Sequence, residues 1–445
     1  MPFCSLTSVF STKLLCSLLP IIWNGKGRIL VKLRLTEYIE EIPLVDVHTH
    51  INFRNPTAKD PAQIMLYHYI ATELRCLNIP VEEIRAKSSD PSGDLIKYFR
   101  LIKNTATYWC LKRIISDLYD FHDDPTPKNW NMLKEIIVSK SMDSGWANRI
   151  RDKVKLKKIF LTVNPLTESK PEFNKDLYAA SLRLDPLVGG ISKKSIESLE
   201  KISGGEASSL RDFRDLLASR FEVFKGYSAT VAVSIQSSEV YKLAHAGLAE
   251  ESYNKLYNDK ILSEYERANL RSAALSLVLD LCREYKLPIQ IMLGVARDLP
   301  GASPPDLAVC FKQRGLHHLC RFFNQYKDVS FHLISAYRFQ SHELSVIAKN
   351  YPNVYLNGYW WYCFFPESIS QHLLERIQIL PAGKICGFFS DAYVLEWIYG
   401  KAALARKITA EVLEDMVERG FYTMEIAKEI AEQILSENAS NLFNI

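Results

Sequence analysis

Two histidines one residue apart, His48 and His50, end the run Leu44-Val45-Asp46-Val47-His48-Thr49-His50 just before the chain turns polar. In a strand, residues i and i+2 share a face, so both imidazoles point the same way. A pair of neutral imidazoles is half of a site for one divalent ion, zinc above all, which takes nitrogen and carboxylate donors. The plainer reading is a polar pair on the solvated face of an edge strand. Ile42, Leu44, Val45 and Val47 weigh against it, because they read as a strand buried on both faces, where unpaired histidines are costly. Far along the chain, Lys384-Ile385-Cys386-Gly387-Phe388-Phe389-Ser390-Asp391 is a second apolar run that ends in a carboxylate. Asp391 could be a third metal ligand, a general base, or both in turn; taken alone, it could equally be the N-cap of the next helix.

A fold must bring these two runs together. After residue 155, short β-prone runs recur at 158–163, 177–184, 227–235, 288–295, 329–334, 354–361 and 384–391, each followed by a helical or loop stretch. With the His-x-His run they make eight. Between them, 263–285 repeats apolar residues at helical spacing, and 410–435 reads as two amphipathic helices broken near Gly420. Eight strands alternating with helices predict an α/β chain forming a (β/α)8 TIM-like barrel in preference to an open doubly wound sheet. In such a barrel the first and last strands are neighbours and chemistry sits at the carboxyl ends of the strands, where His48, His50 and Asp391 fall. Residues 52–155 offer helical stretches such as 63–77 and 95–118 but no convincing strand, which predicts a helical insertion after the first strand. The expected organisation is an unstructured or spurious extension over 1–35, the barrel over 36–51 and 156–445, and the insertion over 52–155.

Composition narrows the class of function. The chain has 445 residues, 47% hydrophobic and 24% charged, enough for a large core. A net charge of +4, with no Lys/Arg cluster interleaved with aromatics, gives no footprint for nucleic acid. Nine cysteines, scattered and without a Cys-x-x-Cys spacing, point to reduced thiols in a cytoplasmic protein, not to a disulfide frame or a thiolate zinc site. The apolar stretch 1–23 has its basic residues after it and Pro20 inside it, which fits neither a signal peptide nor a membrane span. A homo-oligomer is expected.

The combination of Asp46-Val47-His48-Thr49-His50, Phe389-Ser390-Asp391 and the terminal Glu437-Asn438-Ala439-Ser440-Asn441-Leu442-Phe443 resembles the amidohydrolase superfamily of metal-dependent barrels. Within it, the chain is most similar to the uronate isomerases. Tyr67-His68-Tyr69 followed by Leu74-Arg75 resembles their His-Tyr segment with an arginine six residues on. Leu182-Arg183-Leu184-Asp185 resembles their Phe-Arg-Pro-Asp segment, and Gly358-Tyr359-Trp360-Trp361 their Gly-x-Trp-Trp. The likeness runs from about residue 40 to the end.

The resemblance implies interconversion of an open-chain aldohexuronate and ketohexuronate, of the glucuronate and fructuronate type, by proton transfer between C2 and C1. Such a step needs a base, stabilisation of the enediolate oxygen and an anchor for the distant carboxylate. By the resemblance, Asp391 would be base and ligand, with His48 and His50 holding the ion. His68 and Tyr69 would assist proton transfer, and Arg183 and Arg75 would grip the carboxylate. Trp360, Trp361, Tyr393 and Arg338 would complete the substrate site. Plainer readings stand beside these: an arginine at a strand end can be a structural ion pair, and His68 and Tyr69 can simply pack the insertion onto the barrel. His332 reads as a satisfied buried histidine. Trp360 and Trp361, if in a strand, face opposite ways, so one of them belongs to the core.

Two departures qualify the likeness. On the fifth strand, where the isomerases tend to have Gln-Leu-His, this chain reads Gln290-Ile291-Met292, and a thioether is a poor ligand for a hard ion. After Asp391 the isomerases usually have Asp-Ser-Arg, and this chain has Asp391-Ala392-Tyr393, which removes a guanidinium and leaves a phenol. His245 stands where the family has an Asp-His pair, without the aspartate. The alternative is a mononuclear metal-dependent hydrolase of the same superfamily, acting on a small carboxylate or lactone through the same His48, His50 and Asp391. A barrel that only binds is disfavoured, since an idle cluster would leave buried polar groups unsatisfied.

Overall fold

The computed structural model describes residues 21–23, 29–31, 35–167, 170–297, 299–302, 304, 307–308 and 313–445. Its centre is a parallel sheet of eight strands: β1 (Leu44–Thr49), β2 (Leu156–Val163), β3 (Tyr178–Arg183), β4 (Ser228–Ser234), β5 (Ile289–Leu293), β6 (Phe331–Ser335), β7 (Val354–Asn357) and β8 (Ile385–Cys386). They pair in sequence order from β1 to β8, each parallel to the next. Every residue of β1 and β5 is buried, as strands covered by helices outside and packed side chains inside require. The sheet curls until the chain after β8 meets β1. Val47 N–H donates to Phe388 O at 3.3 Å, Asp391 N–H to His48 O at 3.0 Å and His50 N–H to Ala392 O at 2.8 Å. The fold is a (β/α)8 TIM-like barrel.

Two strands are shorter than their sequence runs. The run 354–361 leaves the ladder at Asn357 because Gly358 turns to φ 46°. A side chain at position 358 would put Cβ 2.4 Å from Phe389 Cβ, so glycine is required there twice over. The run 384–391 pairs with β7 only at Ile385 and Cys386, since Gly387 N–H turns to Ile434 O and the following residues pair with β1 instead.

Between β1 and β2 lie helices from Ala62–Met65 to Trp146–Val154. The helical stretch 63–77 is two helices, Ala62–Met65 and His68–Cys76, with Tyr67 extended between them. The helix Ala106–Tyr119, N-capped by Thr105, packs on the long helix Leu395–Glu418. Their approach is close enough that a Cβ on Gly400 would meet Cys110 O at 2.9 Å. Buried Glu396 secures the junction by accepting from Ala58 N–H, Tyr119 Oη and Trp146 Nε1. We propose residues 52–155 as the insertion and 36–51 with 156–445 as the barrel. Of the extension 1–35, all but 21–23, 29–31 and Leu35 lies outside the described residues. Ile21–Trp23 and Ile29–Val31 pair antiparallel, a short element within a stretch expected to be unstructured, built from apolar residues of high β-propensity. No helix among the described residues is long and apolar enough to cross a membrane, and Cys76, Cys110, Cys282, Cys320, Cys363 and Cys386 are free thiols.

A second apolar cluster fills the barrel: Val45, Val47, Phe160, Met292, Ile334 and Phe389, joined by Phe443 from the C-terminal segment. Phe443 meets Phe160 edge-on at 5.0 Å and lies 4.4 Å from the His332 ring, plugging the amino-terminal ends of the strands. Phe443→Ala is expected to destabilise the protein by about 3–5 kcal/mol, the range for a buried phenylalanine that leaves a cavity, read from urea unfolding.

His332, bonded through Nδ1 to Asn357 Oδ1, and His372, bonded through Nε2 to Arg338 O, are both buried. Burial pushes them down to about 4 and about 3 respectively. The unfolded chain therefore takes up protons near pH 6.5 that the folded protein refuses until pH 3–4. Stability should fall as pH drops through this window, by about 1.4 kcal/mol per pH unit for each histidine. In denaturant midpoints measured from pH 7 to pH 4, the wild-type protein should lose stability more steeply than His372→Gln, by one histidine's share.

Candidate active site

At the carboxyl ends of β1 and β8, His50 Nε2 lies 3.1 Å from Asp391 Oδ1 and His48 Nε2 lies 3.9 Å from the same oxygen. One donor atom from each of the three residues falls within 4.8 Å of the others. The register of β1 against β2 shifts between Asp46 and Thr49, an irregularity that re-aims side chains where the site begins. His48 stacks on Phe389 with ring centroids 4.5 Å apart, and meets His50 edge to face at 5.2 Å. Thr162 Oγ1 lies 3.3 Å from His48 Nε2. Asp391 sits at φ 56°, a conformation aspartate tolerates better than most residues. Both its oxygens are engaged, Oδ1 by His50 and Oδ2 by Trp360 Nε1 at 3.2 Å.

The protonation states suit a cation. Burial pushes His48 down to about 3, helped by the neighbouring His50 and opposed by Asp391, so the ring is neutral and a lone pair is available. Burial alone would raise Asp391, but the hydrogen bond and charge of His50, with His48 and Lys401, hold it well below the usual carboxylate range. Two nitrogen donors and one carboxylate, close together and largely buried, form a donor set that fits one divalent ion.

Around this cluster lie most of the other expected residues. His68 and Tyr69 open the helix His68–Cys76, and their rings are 4.4 Å apart. Burial, then the charge of Lys401, pushes His68 down to about 3, so it too is neutral. Tyr393 stacks on His50 at 5.0 Å and meets His68 edge to face at 5.3 Å. Arg183 ends β3, where Asp185 pairs with its Nε and Ser234 Oγ accepts from Nη2 at 3.2 Å. Its charge reaches both His48 and Tyr393.

Both tryptophans contact the site, and Trp360, buried in the apolar cluster that fills the barrel, is also the core member expected of the pair. Neither is in a strand: Trp361 has φ 47°, so successive side chains no longer point to opposite sides. Trp360 bonds Asp391 while Trp361 stacks on Tyr69 at 6.0 Å. Arg75 is within electrostatic reach of His68, yet its guanidinium is bonded to Glu82 and Thr72. Arg338 follows β6 and donates to Gln371 on the helix Pro366–Ile379, apart from the cluster. His245 is an exposed residue at the start of the helix Ala246–Tyr257. A cleft of about 290 Å³ opens beside His50, between the segments after β1 and β2, with Arg54 and Glu172 paired at its rim.

The chain is similar to known proteins over nearly its whole length. No family model matches. The uronate isomerase of Thermotoga neapolitana is 19% identical over 447 residues, covering 92% of this chain and 96% of its own. That of Cutibacterium acnes is 19% identical over 451 residues, covering 91% and 93%. The solved uronate isomerase of Thermotoga maritima superposes with a TM-score of 0.84 at 18% identity, covering 92% of this chain and 96% of its own. The chain is a divergent relative of the uronate isomerases. The glucuronate isomerase of Caulobacter crescentus has the same fold, with a TM-score of 0.82 at 16% identity, covering 92% and 93%. These relatives are enzymes, and the likeness to the uronate isomerases spans barrel and insertion alike.

Three residues near the site were given no role in the sequence reading: Lys401, and Tyr67 and Asp46, which were quoted only as parts of motifs. Lys401 is buried in the helix Leu395–Glu418, and burial pushes its ammonium down to about 8 against the opposing charge of Asp391. Asp46 Oδ1 accepts from Ser390 N–H at 3.0 Å and His48 N–H at 3.3 Å, while burial pushes its carboxyl up to about 7. The available signal was a lone lysine on an apolar helix face, flanked by Trp397, Ile398, Ala402 and Ala405.

Purified protein stripped with chelator is expected to take up one equivalent of zinc in equilibrium dialysis. His50→Asn and Asp391→Asn should each weaken that uptake by about 100-fold or more, beyond what loss of an outer-shell partner costs. Unchanged uptake in both variants would place the zinc elsewhere.

Proposed function

We propose that this protein is a metal-dependent isomerase of sugar acids, interconverting an open-chain aldohexuronate with the ketohexuronate by moving a proton between C2 and C1. The observation that carries the reading is the His48–His50–Asp391 cluster at the carboxyl end of a barrel whose relatives, over 92% of the chain, are uronate isomerases. A zinc ion held by these three residues would polarise the carbonyl and the adjacent hydroxyl of the substrate.

The side chains supply the rest. The Asp391 carboxylate takes the proton from C2; the C2–H electrons form the C1–C2 double bond as O1 gains a proton, and return of a proton to C1 with loss of the O2 proton completes the ketose. Asp391 is kept ionised for this by His50 and Lys401. His68, neutral by burial, and Tyr69 can donate hydrogen bonds to oxygens on which charge develops. Arg183, its fork oriented by Asp185 and Ser234, is the arginine best placed to grip the C6 carboxylate. Trp360 orients Asp391, while Tyr393 lies against His50 and Trp361 against Tyr69.

Hydrolysis of a small carboxylate or lactone, the other chemistry open to this cluster, is not favoured. The solved putative metal-dependent hydrolase of Lactobacillus casei superposes with a TM-score of 0.58, against 0.84 for the Thermotoga maritima uronate isomerase. The test is incubation of the zinc-loaded protein with D-glucuronate, D-galacturonate and a panel of sugar lactones in heavy water, with and without chelator, followed by NMR. Metal-dependent ketose formation, with deuterium appearing at the carbon that receives the proton, is the expected outcome. Lactone opening without exchange would assign the protein to the hydrolases.

A further inference from the structure

Lys401 is 2% exposed, on a helix face otherwise apolar. A buried ammonium is unfavourable unless its protons find acceptors and an opposite charge lies near. Lys401 Nζ donates to Ser390 O at 2.6 Å and to Tyr67 Oη at 3.0 Å, and Tyr67 Oη in turn donates to Asp391 O at 2.9 Å. The carbonyls on either side of the Asp391 α-carbon are thus held by one connected pair of side chains. The rest of the ammonium faces aromatic rings, with Tyr69 at 4.3 Å and Phe364 at 5.2 Å, and the carboxylates of Asp391 and Asp46 balance its charge.

Asp391 needs such support. Its left-handed backbone at φ 56° still carries a cost for a non-glycine residue, although aspartate tolerates it better than most, and the direction of its carboxylate follows from that turn. A methionine at 401 would fill the same space without bonding either carbonyl, so packing alone does not account for a lysine. We infer that Lys401 and Tyr67 are positioning residues for Asp391: ammonium and phenol clamp the two flanking carbonyls, keep the left-handed turn and aim the carboxylate at His50. The clamp serves the site proposed above and rests on that reading for its catalytic consequence, though not for its geometry.

Two substitutions separate the clamp from packing. Tyr67→Phe deletes one hydroxyl and keeps the ring; Lys401→Met keeps the stem and loses the ammonium. Crystal structures of both should show Asp391 out of the left-handed region or its Oδ1 more than about 4 Å from His50 Nε2, beyond ion-pair reach. Zinc affinity measured against a competing chelator should weaken about 10-fold, the cost of losing an outer-shell partner. On D-glucuronate, kcat should fall about 10-fold with KM within about 2-fold, since a misplaced base is felt in the transition state and not in binding. Asp391 unmoved in the variants would overturn the clamp whatever the activity, as would a displaced Asp391 with zinc affinity and kcat both unchanged. Should Lys401→Met fail to fold, Tyr67→Phe decides. A wild-type protein that binds zinc but turns over no uronate would refute the proposed function, while the crystal and zinc measurements still judge the clamp.

Discussion

The hydrogen bonds from Val47, Asp391 and His50 across the seam between β1 and the chain after β8 make one site out of residues from opposite ends of the barrel sequence. Each such bond contributes only about 1 kcal/mol net, so three of them would not hold a seam by attraction alone. The penalty for opening it is larger. Parting the seam would leave buried N–H and C=O groups without partners, at about 1–3 kcal/mol each, and would strand the Asp46 carboxylate that now accepts from both sides. The side chains of His48, His50 and Asp391 meet because their backbones are bonded to one another within the same few residues. Barrel closure and site assembly are therefore one event.

Charge inside this region is kept to a minimum and arranged in layers. His48 and His68 are held neutral by burial, so the cluster presents lone pairs where a folded protein might otherwise bury cations. Among the charges near it are the Asp391 carboxylate at the site, Lys401 behind it and the Arg183–Asp185 pair at the end of β3. Tyr393, in place of the guanidinium the isomerases usually carry, adds no charge and instead lays a ring against His50. The mouth of the site is thereby more aromatic and less basic than the family motif implies. On the function proposed above, recognition of a substrate carboxylate would fall to Arg183, whose field reaches His48.

The parts legible in the sequence were those governed by short-range rules. Eight apolar runs spaced by helices are the physical requirement of a barrel buried on both faces of its sheet, and His48, His50 and Asp391 stand at run ends where that architecture places chemistry. What alternation could not reach lay where the backbone leaves the strand. Gly358 and Trp361 both take positive φ, so the rule that consecutive residues face opposite ways stopped applying just where Trp360 and Trp361 were assigned to opposite sides. Lys401 was hidden for another reason: its partners are main-chain carbonyls of the seam and a tyrosine of the insertion, which no local pattern connects to a helix residue more than three hundred positions from Tyr67. Arg75 and Arg338, like Arg183, are engaged by neighbours in the structure, Glu82 and Gln371 for the first two and Asp185 for the third, contacts between side chains far apart or on separate elements that residue type alone does not reveal.

Met292 is where the departure from a richer metal site becomes physical. It lies buried in the apolar cluster that fills the barrel, with Val47, Ile334 and Phe389, so the position of a third imidazole is used for packing. Its neighbour two residues back keeps a polar role: Gln290 Nε2 donates to Val47 O at 2.9 Å, tying β5 across the barrel to the strand that carries both histidines. A fixed carboxamide directly behind β1, with a thioether above it, supports the placement of His48 without adding a donor. On the function proposed above, an ion held by these three protein donors would keep coordination positions open for the substrate. An aldose–ketose isomerisation of the kind proposed has to hold two adjacent substrate oxygens together, the carbonyl and its neighbouring hydroxyl, and a sparse donor set would admit both.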